Sequence, residues 1–397
     1  MSNSFITRRS SSTTKTITFD GYTGNLTPEV GTDGVSKWLN APDLSVARYS
    51  LAATHVGNYA LFAGGRKNSN YSNVVDAYNT SLEKSTPTPL SQTRYNLVAT
   101  HIGDYALFGG GYSDSTSTSV FAYNTSLEQV TPSPQDFDSS VGYLAATHVG
   151  DYALFGGGNS MGTKQTVVYA YNTSLEQPTP TPYPTPLSVA RENLAATHVG
   201  NYALFGGGLS GTVLDVVDAY NPSLERTTPT PLSQARSYLA ATNAVDYALF
   251  AGGQSNYGYS NVVDAYNTSL ERSTPTILSQ ARYGLKATHI GQYGIFGGGG
   301  DTDNDVFGEV DVYNKNLELS NPIPLMFENA TAATHIGDYA LFSSSDGKVE
   351  VYTTPAQTAK ITLPPNVSYE FGSLSGTTTQ PTEISPNYPL YGTVTVS

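Results

Sequence analysis

The chain has no cysteine among its 397 residues, so no disulfide can staple it, no thiolate can hold zinc and no thiol can act as a nucleophile. Charge is sparse too. Only 13% of residues are Asp, Glu, Lys or Arg, and 32 acidic residues outnumber 19 basic ones, for a net charge of -13. A body of that sign repels phosphate backbones and anionic lipid, which argues against nucleic acid as a general partner. There is one tryptophan, and no apolar run reaches the length that crosses a bilayer, so membrane insertion is not expected. The opening residues carry no apolar segment followed by a small-residue cleavage site, and classical secretion is not expected either.

What the chain has in quantity is glycine (38), proline (23) and tyrosine (29), a composition suited to many short strands and turns rather than long helices. It also repeats itself. ATHVGNYALFAGG at 53–65 returns with small changes at 99–111, 146–158, 196–208, 241–253, 287–299 and 333–345. The seven copies recur every 45 to 50 residues, the period of a repeat architecture in which each unit is one supersecondary element.

The unit at 232–277 shows four extended pieces. The first, 239–243, is rich in small alanines; the second, 247–250, is apolar on both faces and stops at Gly252-Gly253. The third, 262–266, is closed by Asn-Thr-Ser, and the fourth, 270–274, is short, polar and followed by Pro275, as an outer edge strand should be. A strand covered on both faces must sit between neighbouring sheets, which four-stranded sheets arranged radially provide. The predicted fold is therefore an all-β propeller of seven four-stranded blades, with six blades plus a degenerate one as the alternative. Copy seven is the irregular one, with Ser343-Ser344-Ser345 in place of the glycines.

The order Arg236, Gly252-Gly253, Tyr266-Asn267 resembles the Kelch repeat, in which an arginine, a strand ending in Gly-Gly, a Tyr-Asp pair and a tryptophan follow one another. Here the repeat tryptophan is usually Glu-Lys, Glu-Arg or Glu-Gln, and Trp38 occupies its place just ahead of copy one, on a strand expected to complete the last blade. The resulting division is a flexible basic N-terminal anchor (1–15), an N-terminal extension with a ring-closing strand (16–43), the propeller (44–363) and a C-terminal β-like arm (364–397). The resemblance implies two enzymatic precedents. A galactose-oxidase-type copper site needs a Tyr-Cys cross-link that this chain cannot form, whereas a sugar mutarotase needs only positioned polar groups and stays open as an alternative function.

The repeated polar residues read as structural. All six histidines fall at one repeat position, which is Asn243 in copy five. Neighbouring sheets are expected about 10 Å apart, too far for equivalent histidines to share an ion. The arginines 48, 94, 191, 236 and 282 and the carboxylates of Asp76, Asp218, Asp264, Asp311 and Glu350 suggest buried ion pairs or backbone bonds. The glycine runs lack the helix that a phosphate loop requires. Asn79, Asn124, Asn172 and Asn267 stand in Asn-Thr-Ser sequons but are expected to close turns through their side chains.

Candidate function lies where the copies differ. The loops after Gly-Gly read RKNSNYS, YSDSTST, NSMGTKQ, LSGTVLD, QSNYGYS and GDTDNDVFG, unlike in length, charge and aromatic content. Loops of a radial scaffold gather at one rim, where many can touch one partner. Candidate binding residues are Arg66, Tyr71, Tyr112, Lys164, Tyr257, Tyr259, Asp301, Asp303 and Asp305, facing a protein or a glycan. The three aspartates alternate like the first half of a calcium loop, but Val306 and Val312 stand at its glycine and glutamate positions, so calcium is only a weak candidate cofactor and no other is expected.

The opening MSNSFITRRSSS resembles, over fewer than ten residues, the start of structural proteins of phages of Gram-positive gut bacteria. That likeness implies a particle anchor at Phe5, Arg8 and Arg9 contacting other virion proteins, with the propeller as decoration or host-contact adhesin. The sequence reading is thus a non-enzymatic binding protein located on a virion, or otherwise a cytoplasmic scaffold for a protein partner.

Overall fold

A computed structural model describes residues 2–6, 15–19, 22–30, 37–113, 118–133, 137, 140–178, 184–301, 306–322, 324–327, 329–353, 357–363, 367–371, 374–380, 382–384 and 391–396. The chain divides into two compact units, one of residues 38–353 and one built from both chain ends, 1–37 with 354–397.

The larger unit is a seven-bladed β-propeller of antiparallel sheets. Blade five runs Ala240–Ala244, Tyr247–Ala251, Val263–Asn267 and Arg272–Ser273, within about two residues of the pieces read from the sequence. Blade three shows three strands among its described residues. Blade seven is complete despite its serines: Ala330–Ile336, Tyr339–Ser344 and Val349–Thr353 are joined by Lys37–Ala41, the strand that carries Trp38. Seven blades, not six and a remnant, close the circle, and the first strand of blade seven lies beside that of blade one. A strand from before the first repeat thereby joins a sheet made by the last.

Among the described residues, the propeller core forms seven apolar clusters, each shared by two neighbouring blades. In the repeated Tyr-Ala-Leu-Phe, Ala-Leu-Phe is buried because the second strand has a blade on either side, while the tyrosine before it is half-buried; in blade one Ala60, Leu61 and Phe62 are fully buried. Gly64 and Gly65 then take φ of 69° and 99°, a region costly for side chains, and a Cβ on either would come within 2.9 Å of a backbone oxygen. Here lies the reason for the glycine pair. Gly65 N–H donates to Arg94 O in the next blade (2.6 Å), and Gly158, Gly208 and Gly253 make the same bond to Arg191, Arg236 and Arg282. The pair joins one blade to the next.

At the other end of each blade, Asn79 Oδ1 accepts from the amides of Ser81 and Glu83, both at 2.9 Å. Asn124, Asn172 and Asn267 close their turns likewise, and so do Asn221 and Asn314, which are not in sequons. The asparagine is there for the turn.

The second unit holds two four-stranded antiparallel sheets. Ser2–Ile6 pairs with Tyr391–Val396, and Val367–Phe371 and Leu374–Thr377 complete that sheet. Lys15–Phe19, Tyr22–Val30, Gln357–Leu363 and Thr382–Ile384 form the other. The structure therefore differs from a tail at 1–15 and a separate arm at 364–397: segments from the two chain ends are hydrogen-bonded to each other, a long-range pairing that composition does not register. The boundaries lie at 37/38 and 353/354 rather than at 44 and 363.

Candidate binding face

The repeated ionisable residues are taken up by the frame. Arg48 Nη2 lies 2.9 Å from Asp76 Oδ2, and Arg191 with Asp218 (2.8 Å), Arg282 with Asp311 (2.7 Å) and Arg236 with Asp264 repeat this pair, every side chain fully buried. The same aspartates accept from the amides of Ser45, Ser188, Ser233 and Ser279, so each anion is held on two sides. Blade three replaces the pair by Val141 and by Tyr169, which stacks on Phe137 at 4.2 Å. In blade seven Glu350 accepts from Met326 N (2.9 Å), and burial raises its carboxyl pKa.

The histidines form a ring about the axis, near the end of the first strands away from the variable loops. Ring centroids are 4.0 Å apart for His55 and His101, 4.4 Å for His101 and His148, 4.1 Å for His148 and His198, 4.1 Å for His289 and His335, and 4.2 Å for His335 and His55. Only across Asn243 does the gap widen, to 6.5 Å between His198 and His289. The expected 10 Å separation fails here because radial sheets converge at the axis, whereas that distance describes sheets stacked face to face. Seven such positions lie on a circle of radius roughly 5 Å, still too wide for one axial ion to reach several ring nitrogens at ~2.1 Å. Burial, reinforced by other imidazoles for His55 and His148, lowers His55 and His198 to about 4 and His148 to about 3; burial also lowers His101 and His335. These rings are neutral at pH 7.

The opposite face is where the copies diverge. Blades one to six approach their first strand through a short segment after the repeat arginine, Val141 in blade three, and that segment pairs with the loop after Gly-Gly: Tyr49 with Arg66, Tyr95 with Tyr112, Gly142 with Asn159, Glu192 with Leu209, Ser237 with Gln254, Tyr283 with Gly300. In blades one, three, four and five the loop folds back as a two-stranded hairpin. The following residue turns left-handed at Ser50, Asn96, Tyr143, Asn193, Tyr238 and Gly284, with φ between 53° and 69°. These residues are linked across blades: Asn96 N–H donates to Ser50 O, Asn193 to Tyr143 O, Tyr238 to Asn193 O and Gly284 to Tyr238 O, all at 2.9–3.0 Å. They frame the mouth of the axis.

Around that mouth the structure gathers tyrosines. Tyr71 stacks on Tyr95 at 4.6 Å; Tyr95 meets Tyr112 at 5.7 Å; Tyr112 meets Tyr143 at 5.7 Å. Arg66 is sandwiched, its guanidinium carbon 5.0 Å from the Tyr49 ring and 4.7 Å from the Tyr95 ring. Gly142 stands where blades one, two and six carry tyrosine, and the Tyr112 ring fills that space; a Cβ there would come within 2.3 Å of it. On the far side Tyr259 stacks on Tyr283 at 4.8 Å, and Tyr283 meets Tyr238 at 6.2 Å. Burial raises the hydroxyl pKa of Tyr95 and Tyr238 and takes Tyr112 to about 12, so all three stay protonated. Between the aromatic groups, Glu192 accepts from Asn159 Nδ2 at 2.9 Å and lies 3.6 Å from Lys164 Nζ.

Of the residues singled out in the sequence, Arg66, Tyr71, Tyr112, Lys164 and Tyr259 belong to this face, and Tyr257 stands fully outward at a hairpin tip, 97% exposed. Asp301 is half-buried beside Gly300. Asp303 and Asp305 lie outside the described residues, as do Arg8 and Arg9, while Phe5 is on a strand opposite Gly392. Sequence reading passed over Tyr49, Tyr95, Tyr143, Glu192, Tyr238 and Tyr283. Their signal was a pair of variable positions inside an otherwise constant frame, one and two residues after the repeat-arginine position.

Fold and face together define a seven-bladed β-propeller that presents unlike loops and aromatic side chains on one end of a repeated frame. No protein-family model matches the sequence, and no curated protein does. Among the described residues no helix is long and apolar enough to cross a membrane.

Proposed function

We propose that this protein is a non-catalytic binding module that engages a protein or glycan through the loop face of its propeller. One observation carries the reading: the repeated His, Arg and Asp are spent on the frame, while the exposed, unlike residues converge on a single face. The Kelch-like order of arginine, Gly-Gly and tyrosine supports a scaffold whose loops vary while its blades do not. The likeness of the opening residues to phage structural proteins supports a place on a virion, with Phe5, Arg8 and Arg9 in the segment that anchors it. Replacing the blade-five loop 254–259 by the blade-four loop 209–213 tests the module. Retention of partners from the natural source should be lost while the thermal midpoint is kept; unchanged retention would refute the assignment. Electron microscopy of the source particle tests the location, and finding the protein only free in the cytosol would refute the virion placement.

A further inference from the structure

The loop face is not uniform, and its asymmetry identifies a place to bind. Blades three and five each present a tyrosine at the axial mouth, Tyr143 at 38% exposure and Tyr238 at 40%, and a large apolar residue at the hairpin tip, Met161 at 80% and Tyr257 at 97%. Blade four, between them, presents neither. Its hairpin, Leu209–Ser210 and Thr212–Val213, turns through the single residue Gly211, whereas those of blades three and five turn through two, and its mouth residues are Glu192 and Asn193. At the mouth, blade four thus sets the polar Glu192 and Asn193 as a floor between two tyrosine walls, with the half-buried Leu209 and Val213 of its short hairpin outside them.

The backbone beneath both walls is fixed. Tyr143 and Tyr238 both hold φ above 50°, which costs a bulky residue roughly 1–2 kcal/mol. They are fixed there by backbone bonds through Asn193, whose N–H donates to Tyr143 O and whose carbonyl accepts from Tyr238 N–H, each at 3.0 Å. Strain retained at exposed side chains is typical of positions set for a ligand. The same place is filled by Asn96 in blade two and Asn193 in blade four, residues that adopt this conformation with less strain, so the frame does not require tyrosine.

The chemistry of floor and walls selects the ligand. The charge of the floor is internally compensated, since Glu192 is bonded to Asn159 and paired with Lys164, so it offers hydrogen-bond donors and acceptors without net charge. The walls offer ring faces. A pyranose chain matches both, with C–H faces for the tyrosines, hydroxyls for the floor and no charge of its own. We infer that the trough over blade four, between Tyr143 and Tyr238, binds a neutral oligosaccharide. This rests on the binding-module reading and names its ligand class.

The test uses the full chain on a printed array of neutral hexose and N-acetylhexosamine oligosaccharides, beside sialylated and sulfated glycans. Tyr143→Asn, Tyr238→Asn and the double variant install the residue that blades two and four already carry, so thermal midpoints should hold or rise. The wild type should retain at least one neutral oligosaccharide, each single variant should lose it tenfold or more, and the double variant should lose it altogether. Retention undiminished in the double variant would overturn the site while leaving the module reading intact. Retention of charged glycans alone, or of no glycan while the loop exchange still abolishes capture of a source protein, would overturn the ligand class. A Met161→Ser, Tyr257→Ser pair that abolishes protein capture without touching glycan retention would show that the tips serve another partner.

Discussion

Arg94 and Phe121 in blade two occupy the places held in blade one by Arg48 and Asp76: the guanidinium carbon lies 4.7 Å over the phenyl ring, where its counterpart forms a 2.9 Å ion pair. Arg94 also donates to Gly110 O (2.8 Å) and Ser119 O (2.7 Å), so backbone oxygens share in holding the cation. Six blades of one chain therefore solve one burial problem with an ion pair, a cation–π contact or an aromatic stack, and blade seven holds Glu350 through a backbone amide.

Removing one partner of a buried pair should cost more than removing both. Asp264→Ala leaves Arg236 charged and buried, and should lower stability by about 3–5 kcal/mol. Arg236→Val with Asp264→Tyr copies the blade-three solution and should cost less than the two single changes added together. Urea unfolding of the four proteins measures the coupling; strict additivity would refute it.

The axial histidines should make the fold acid-sensitive. Unfolded histidine has a pKa near 6.5, whereas His55 and His198 are held to about 4 and His148 to about 3. Below pH ~6.5 the unfolded chain takes up protons that the folded ring does not, so the stability present at neutral pH is lost as pH falls toward 4. His148→Asn places in blade three what blade five has at Asn243 and removes one of these groups. Its thermal midpoint should fall less than that of wild type between pH 7 and 4.5, and parallel curves would count against the ring as the source.

Leu224 is left-handed at φ 62° yet 7% exposed, and Leu175 is the same at φ 62° and 3%; leucines 82, 127, 270 and 317 take a similar φ at their asparagine turns while half-buried. Burying leucine, worth ~1.5–3 kcal/mol, outweighs a backbone cost of ~1–2 kcal/mol. Leu224→Gly recovers the backbone term and Leu224→Ala does not. The glycine variant should therefore be the more stable of the two by about 1 kcal/mol in chemical denaturation, although both fall below wild type.

The glycine pair and the hairpin glycines should respond differently to a methyl group. Gly253→Ala places a Cβ within 2.7 Å of Ser237 O at the join between blades, while a Cβ at Gly258 meets nothing within 4 Å. Both positions have positive φ, so the second substitution carries backbone strain alone. Thermal melting should show a loss several-fold larger for Gly253→Ala.

Much of the fold was legible because it is written seven times: strand order, turn asparagines, glycine pairs and the Arg–Asp pairs all follow from comparing copies within the chain. The candidate face was half legible. Tyr71, Tyr112 and Tyr259 stood out in loops of unlike sequence, but Tyr49, Tyr95, Tyr143, Tyr238 and Tyr283 sit inside the frame, where tyrosine at a variable position resembles ordinary packing. The histidine ring was legible in composition and misjudged in distance.

The sequence by itself determined the repeating unit, since apolar alternation, Gly-Gly and Asn turns are local properties of each 45–50-residue copy, but it left open whether the seventh copy makes a full blade. Only the tertiary structure decided what happens when the copies close on themselves. Closure brings His55 beside His335, 280 positions later in the chain, and sets Tyr143 and Tyr238 on either side of Glu192 and Asn193. The physical reason is convergence: radial sheets bring equivalent residues within contact distance at the axis, and no local pattern encodes which unlike residues meet there.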